Sequence, residues 1–135
     1  MNPYLSFNGD CEAAFKLYEQ CLGGKITFSV TYEGTPMADQ APPEWGKKIA
    51  HATLDVGGQI LQGGDVVPGQ YEEPRGMNIT LSMKDPLEAE RIFNGLSEGG
   101  KVQMPLQQTF WALRFGTFVD RFGIPWIINC GEQSQ

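Results

Sequence analysis

Two observations predict an α+β fold made of two βαβββ halves in tandem. The chain matches itself when slid by 76 positions. Each half also reads, between Gly- and Pro-rich breaks, as one short strand, one amphipathic helix and three further strands. The self-match places Leu5, Ser6, Glu12, Ala13, Gly23, Gly24 and Lys25 on Leu81, Ser82, Glu88, Ala89, Gly99, Gly100 and Lys101. That is seven identities over the 22 ungapped positions 5–26, where average composition gives roughly one or two. The matches run through a strand, a helix and the turn between them, as a duplicated structural unit requires.

The first half occupies about 1–63. Tyr4 to Phe7 is a short apolar strand, and Asn8-Gly9-Asp10 is a turn offering Asp10 as a helix cap. Residues 11–22 place Ala14, Phe15, Tyr18 and Leu22 on one helical face. Gly23-Gly24 ends that helix, because glycine accepts the left-handed cap conformation. Lys25 to Tyr32 is rich in β-branched and aromatic residues and reads as a strand. Pro36, Pro42 and Pro43 make 33–47 a loop. Ile49 to Val56 and Gln59 to Gly63 form a hairpin about Gly57-Gly58.

A linker, 64–75, joins this to the second half at about 76–130. Met77 to Met83 is a strand, and Asp85 with Pro86 opens a helix. That helix is expected to bury Leu87, Ile92, Phe93 and Leu96, with Gly99-Gly100 at its end. Lys101 to Trp111 reads as strand interrupted by Pro105, and Arg114 to Val119 with Pro125 to Cys130 closes the domain as a hairpin. Asp55 to Gly58 matches Asp120 to Gly123 at the shorter offset of 65.

Composition narrows the function. With 41% hydrophobic and 19% charged residues the chain is globular rather than disordered. A net charge of −6 leaves no basic footprint for nucleic acid or an anionic membrane, so neither is expected as a partner. No signal peptide pattern opens the chain, and Cys11, Cys21 and Cys130 have neither framework nor zinc-site spacing. A cytoplasmic location with cysteines packed in the core is the expectation.

The motifs then carry a resemblance. Leu5-Ser6-Phe7-Asn8-Gly9, Ile49-Ala50-His51-Ala52, Gln108-Thr109-Phe110-Trp111, Arg114-Phe115-Gly116 and Asp120-Arg121-Phe122-Gly123-Ile124-Pro125-Trp126 make the chain resemble the PhnB-like branch of the vicinal-oxygen-chelate superfamily, which holds glyoxalase I, bleomycin-resistance proteins and extradiol dioxygenases. The resemblance spans nearly the whole chain and leaves out only the tail from Gly131 to Gln135, expected to fray. It implies a curved mixed sheet around a cleft, often within a homodimer. It also implies four metal-ligand positions on the first and last strands of each half, which match here to Asn2 or Pro3, Gln62, Asn78 and Ile127. None of these is a carboxylate or an imidazole, so no metal and no other cofactor is expected. A methyltransferase label carried by some relatives finds no support, for no G-x-G-x-x-G loop is present.

The candidate site residues follow. His51 is the sole histidine, readable as a general base, a lone metal ligand or a hydrogen-bonded strand residue. Trp111 with Arg114 suits a planar or anionic ligand by stacking and charge-assisted hydrogen bonding, or is a tryptophan beside a surface arginine. Gln62 and Asn78, placed in the cleft by the resemblance, suit a carbonyl or phosphonyl oxygen. Trp126 reads as core, and the repeated Glu12 and Glu88 as solvated helix residues. The 33–47 loop reads as a lid, a dimer contact or an inert insertion. The expected function is metal-free small-molecule binding by a homodimer. The alternatives are a lyase, isomerase or dioxygenase of the same superfamily, and a dimeric domain with no ligand.

Overall fold

The computed structural model describes residues 1–132. The chain divides into two compact units, Met1–Glu72 and Glu73–Gln135. Unit one contains β1 (Tyr4–Phe7), α1 (Cys11–Leu22), β2 (Lys25–Thr31), β3 (Ile49–Val56) and β4 (Gln59–Asp65). Unit two contains β5 (Ile79–Met83), α2 (Pro86–Ser97), β6 (Lys101–Gln107), β7 (Ala112–Val119) and β8 (Pro125–Glu132). The sheet orders are β1-β4-β3-β2 and β5-β8-β7-β6, the same topology twice. In each, the first strand lies parallel to the last and the other pairings are antiparallel.

The duplication holds at the level of register. Tyr4 pairs with Gln62, and Thr80 with Ile127. The edge strands β2 and β6 carry the same irregularity, between Ile26 and Phe28 and between Val102 and Met104. The repeated Gly-Gly-Lys turn has a two-part cause. Gly23 and Gly99 adopt φ of 71° and 77°, where a side chain is strained. Gly24 and Gly100 run against the backbone of the neighbouring hairpin, and a Cβ on Gly24 would come within 2.8 Å of Asp55 O.

Each helix lies on one sheet face and closes one core. Phe7, Phe15, Tyr18 and Leu54 are fully buried in unit one; Leu96, Phe118, Trp126 and Ile128 are in unit two. Phe7 meets Phe15 edge-on at 6.0 Å between centroids, as Phe93 meets Phe118 at 5.0 Å. Full burial of each such side chain stabilises by roughly 1.5–3 kcal/mol. No helix among the described residues is long and apolar enough to cross a membrane.

The structure corrects several boundaries. α2 buries Ala89, Ile92, Phe93 and Leu96, an i, i+3, i+4, i+7 stripe; Leu87, in its first turn, lies off that stripe and is 74% exposed. β6 continues through Pro105, which is allowed because β6 is an edge strand and its register shifts between Met104 and Gln107. Gly64 and Asp65, placed in the linker by sequence, are the end of β4. β8 continues through Gly131 to Glu132, so these two belong to a strand rather than a frayed tail; the rest of that tail, 133–135, lies outside the described residues. The 33–47 loop contains short 3-10 turns at Pro36–Gln40 and Pro43–Trp45.

Candidate functional site

Each sheet has a helix-covered face and an opposite face, called here the open face. Side chains alternate along a strand. Phe7, Gly63 and Ala52 lie on the α1 side, so Tyr4, His51, Thr53, Gln62 and Gly64 lie on the open face of unit one. There the His51 ring is bracketed by two aromatic rings, Tyr4 at 5.7 Å and Phe28 at 5.9 Å between centroids. Its Nε2 lies 3.4 Å from Thr53 Oγ1. Gln62 stands opposite both Tyr4 and Thr53 in register. The result is an aromatic patch with polar groups at its edge, on a rigid sheet.

Gly64 makes the patch possible. A Cβ there would lie 2.7 Å from Tyr4 Oη and 2.6 Å from Ala50 O. The phenol therefore lies flat across the strand and donates to Ala50 O at 3.4 Å. Its ring is half exposed while its hydroxyl is tucked in. Burial at that end, with smaller contributions from Cys11, Tyr32 and Asp65, pushes the phenol above its ordinary pKa. Tyr4 thus stays a neutral donor. Sequence reasoning found His51 and Gln62 but missed Tyr4, Phe28 and Thr53. The available signal was the in-strand glycine, which marks a close approach.

The structure separates the other candidates. Trp111 is 43% exposed and packs edge-on against Phe110 (4.7 Å) and Phe115 (5.2 Å). Arg114 sits one position from Phe115 along β7 and so turns to the α2 side. Its Nε is 3.7 Å from Glu90 Oε1, and its Nη1 donates to Leu113 O at 2.7 Å. The expected Trp111/Arg114 pair is not assembled: Trp111, in the bend before β7, packs on Phe110 and Phe115, while Arg114 reaches Glu90 of α2. Asn78 is exposed and precedes β5, as Asn2 precedes β1. The strand positions opposite Gln62 and Ile127 are Tyr4 and Thr80.

Neither Asn2, Pro3 and Gln62 in unit one, with Tyr4 opposite Gln62, nor Asn78 and Ile127 in unit two, with Thr80 opposite Ile127, offer a carboxylate or an imidazole to a divalent ion. Among the described residues no three His, Cys, Asp or Glu side chains converge in a way that could hold a metal. Cys11 and Cys130 are buried, as expected for core cysteines; Cys21 is only half-buried. Burial, reinforced by Asp65, Asp10 and Glu12, pushes the Cys11 thiol well up. Burial and Asp85 raise that of Cys130, with Arg114 opposing and Glu88 adding to the rise. Both thiols stay protonated at neutral pH and are poor ligands and nucleophiles.

One functional-looking group had no sequence signal. Asp65, at the end of β4, is 3% exposed and holds three backbone amides. Oδ1 accepts from Gly9 N (3.0 Å) and Cys11 N (2.9 Å), and Oδ2 from Ile49 N (2.9 Å). Tyr32 donates its hydroxyl to the backbone carbonyl of Asp65. The 33–47 loop is fastened nearby: the Trp45 ring lies over Gly9, and Lys48 Nζ donates to Gly9 O at 2.8 Å. The fully bonded carboxylate is a structural clasp between β1, α1 and β3.

Two βαβββ units of identical topology define a tandem-repeat α+β fold. The chain belongs to the Glyoxalase/Bleomycin resistance protein/Dioxygenase superfamily, whose family description matches residues 1–128. It is similar to protein YjdN of Escherichia coli (strain K12), with 32% identity over 98% of this chain and 96% of that one. Among solved structures it is similar to protein PA1353 of Pseudomonas aeruginosa: TM-score 0.89, 46% identity, 98% of each chain. It also resembles the PhnB protein of Bacillus cereus, with TM-score 0.83 and 22% identity over 97% of this chain and 98% of that one. That last likeness concerns the fold.

Proposed function

We propose that the chain is a small-molecule-binding protein that works as a homodimer without a metal, with the open face of unit one as its primary contact surface. The observation that carries this reading is the His51 ring bracketed by Tyr4 and Phe28. Clustered aromatic rings offer a planar ligand a large contact area at low cost in side-chain entropy. Gln62 and Thr53, beside it in register, supply the few polar groups that fix a ligand's orientation. The donor set at the superfamily's metal positions supports the metal-free half of the reading.

The test begins with elemental analysis of the purified protein and a thermal-shift titration with Ni²⁺, Zn²⁺, Mn²⁺ and Fe²⁺. The expected result is substoichiometric metal and no saturable shift. A stoichiometric ion would overturn the reading and favour a metal-dependent lyase, isomerase or dioxygenase. A screen of small planar aromatics, neutral and anionic, then reads affinity. Phe28→Ala is expected to weaken a hit by about 1 kcal/mol, roughly fivefold, while leaving the fold intact, since Phe28 is 52% exposed. Sedimentation analysis checks the dimer.

A further inference from the structure

Two of the asparagines are followed by glycine, in Asn8-Gly9 and Asn94-Gly95. In such a pair no side chain crowds the second residue's backbone nitrogen, which can attack the asparagine carboxamide; asparagine is a thermolabile residue for this reason. The two pairs sit in opposite surroundings. Asn94 lies inside α2, a helix whose inner face buries Ala89, Ile92, Phe93 and Leu96, so its backbone is fixed unless the helix opens. Asn8 is exposed, in the bend between β1 and α1. Glycine is imposed beside it by the fold: Gly9 has a φ of 100°, and a Cβ there would lie 3.1 Å from the Trp45 ring.

Gly9 is also where the Asp65 clasp meets the 33–47 loop. Its N–H, which must lose its proton before the nitrogen attacks, donates to Asp65 Oδ1 at 3.0 Å. Its carbonyl accepts from Lys48 Nζ at 2.8 Å. While both bonds hold, the nitrogen keeps its proton and the bend keeps its shape. Of the three amides on Asp65, Cys11 N and Ile49 N make buried bonds, whereas that of Gly9 is only part-buried. The Gly9 arm is therefore the one that local fluctuation opens first.

We infer that Asn8-Gly9 is a latent self-modification site that Asp65 holds in check. With the arm open, the Gly9 nitrogen bonds to Asn8 Cγ as its proton passes to solvent. The bond from Cγ to the side-chain nitrogen breaks, and that nitrogen takes up a proton and leaves as ammonia. Water then adds to one carbonyl of the five-membered imide and breaks its bond to nitrogen, giving aspartate or isoaspartate, with no change of oxidation state. Isoaspartate lengthens the backbone by one carbon, so Gly9 no longer fits between Asp65 and Lys48 and the arm cannot reclose. The reaction is a one-way record of clasp opening, independent of any ligand at the His51 patch.

The test incubates the full-length protein in mildly alkaline buffer and follows each asparagine by peptide mapping with mass spectrometry. Asn8 is expected to convert about tenfold faster than Asn94 in the folded protein, and the two rates to converge in urea. Asp65→Ala is expected to speed Asn8 about tenfold with Asn94 unchanged, the effect of one charge-assisted hydrogen bond. Lys48→Met frees Gly9 O but keeps the buried carboxylate, and a smaller rise, about threefold, is expected. The isoaspartate form is expected to exchange its Gly9 and Cys11 amide hydrogens faster than fresh protein; Asn8→Gln carried through the same incubation is not. Conversion of Asn94 as fast as Asn8 in the folded protein would overturn the proposal. So would an Asn8 rate unmoved by either clasp variant, or an isoaspartate form with unchanged exchange at Gly9. If Asp65→Ala raises both asparagines together, that variant has unfolded and Lys48→Met alone decides.

Discussion

The two helices hold equivalent places in their units and are both 12 residues long, yet their N-termini are held in different ways. α2 is capped from next door: Asp85 accepts a hydrogen bond from Leu87 N at 3.0 Å, with Pro86 in the first turn. α1 begins at Asp10, but the Asp10 side chain makes no cap bond. Its amides are taken instead by Asp65, which arrives from the far end of the unit's last strand. The register explains the divergence. Asp65 stands opposite Phe7, and its counterpart opposite Met83 is Cys130, a thiol that cannot serve three amides. Where the last strand supplies a carboxylate the local cap is spared, and where it supplies sulfur the helix caps itself.

The largest predicted effect breaks this comparison directly. Asp65→Ala leaves three backbone donors of the clasp unpaired, two of them, Cys11 N and Ile49 N, in buried bonds. It is expected to cost about 3–5 kcal/mol. Asp85→Ala removes one exposed cap bond and is expected to cost about 1 kcal/mol. Urea unfolding of both variants gives the two numbers. A cost for Asp65→Ala no greater than that for Asp85→Ala would show that the clasp is not what holds α1.

The hairpin aspartates sharpen it. Asp55 and Asp120 occupy matching positions, but Asp55 Oδ1 accepts a single bond from Gly58 N at 2.7 Å in an exposed turn. Asp120 is 3% exposed; its Oδ1 accepts from Phe122 N and Ile124 N, and its Oδ2 from Trp126 Nε1 at 2.9 Å. Asp120→Ala is expected to cost about 2–4 kcal/mol, and Asp55→Ala less than about 1 kcal/mol. In the same experiment Trp126 fluorescence should change for Asp120→Ala alone, because only there does the indole lose its partner.

What was legible in the sequence divides along the same line as the caps. Features set by neighbours a few residues away were readable: the helix bounds from apolar spacing and Gly23, the Asp85-Pro86 start, the hairpin at Gly57-Gly58, and the duplication itself. Features set across the sheet were not. Asp65 has no local pattern to announce it, since its three donors lie 16 to 56 residues away. Trp111 lies between β6 and β7, outside either strand, so no periodicity told which way it turns relative to Arg114. Gly64 read as the opening of a linker although it is a strand residue with Tyr4 lying over it. Gly64→Ala tests that reassignment. The added carbon meets Ala50 O and the phenol, and the expected cost is about 1–3 kcal/mol, with weakened ligand binding at the His51 patch. Gly57→Ala, where nothing crowds the Cβ but φ is 60°, isolates the cost of backbone strain alone.

The smallest effect compares the two buried thiols. Cys11 and Cys130 are both fully buried, and in both the neutral form is favoured in the fold. A pKa raised by folding means that the unfolded chain releases its proton first. The stabilisation is therefore complete below the unfolded thiol pKa, about 8.5, and is lost as pH climbs above it. Stability is expected to be flat from pH 7 to 8 with respect to these groups. By pH 9.5 it should have fallen by on the order of 1 kcal/mol through Cys11. The two should not contribute equally. Cys11 faces only acidic neighbours, Asp65, Asp10 and Glu12, while Arg114 offsets part of the rise at Cys130. Cys11→Ala is thus expected to flatten the alkaline limb of the stability profile more than Cys130→Ala. Equal flattening would mean that burial alone sets both thiols and that the charged neighbours, which are where the two halves differ, contribute nothing.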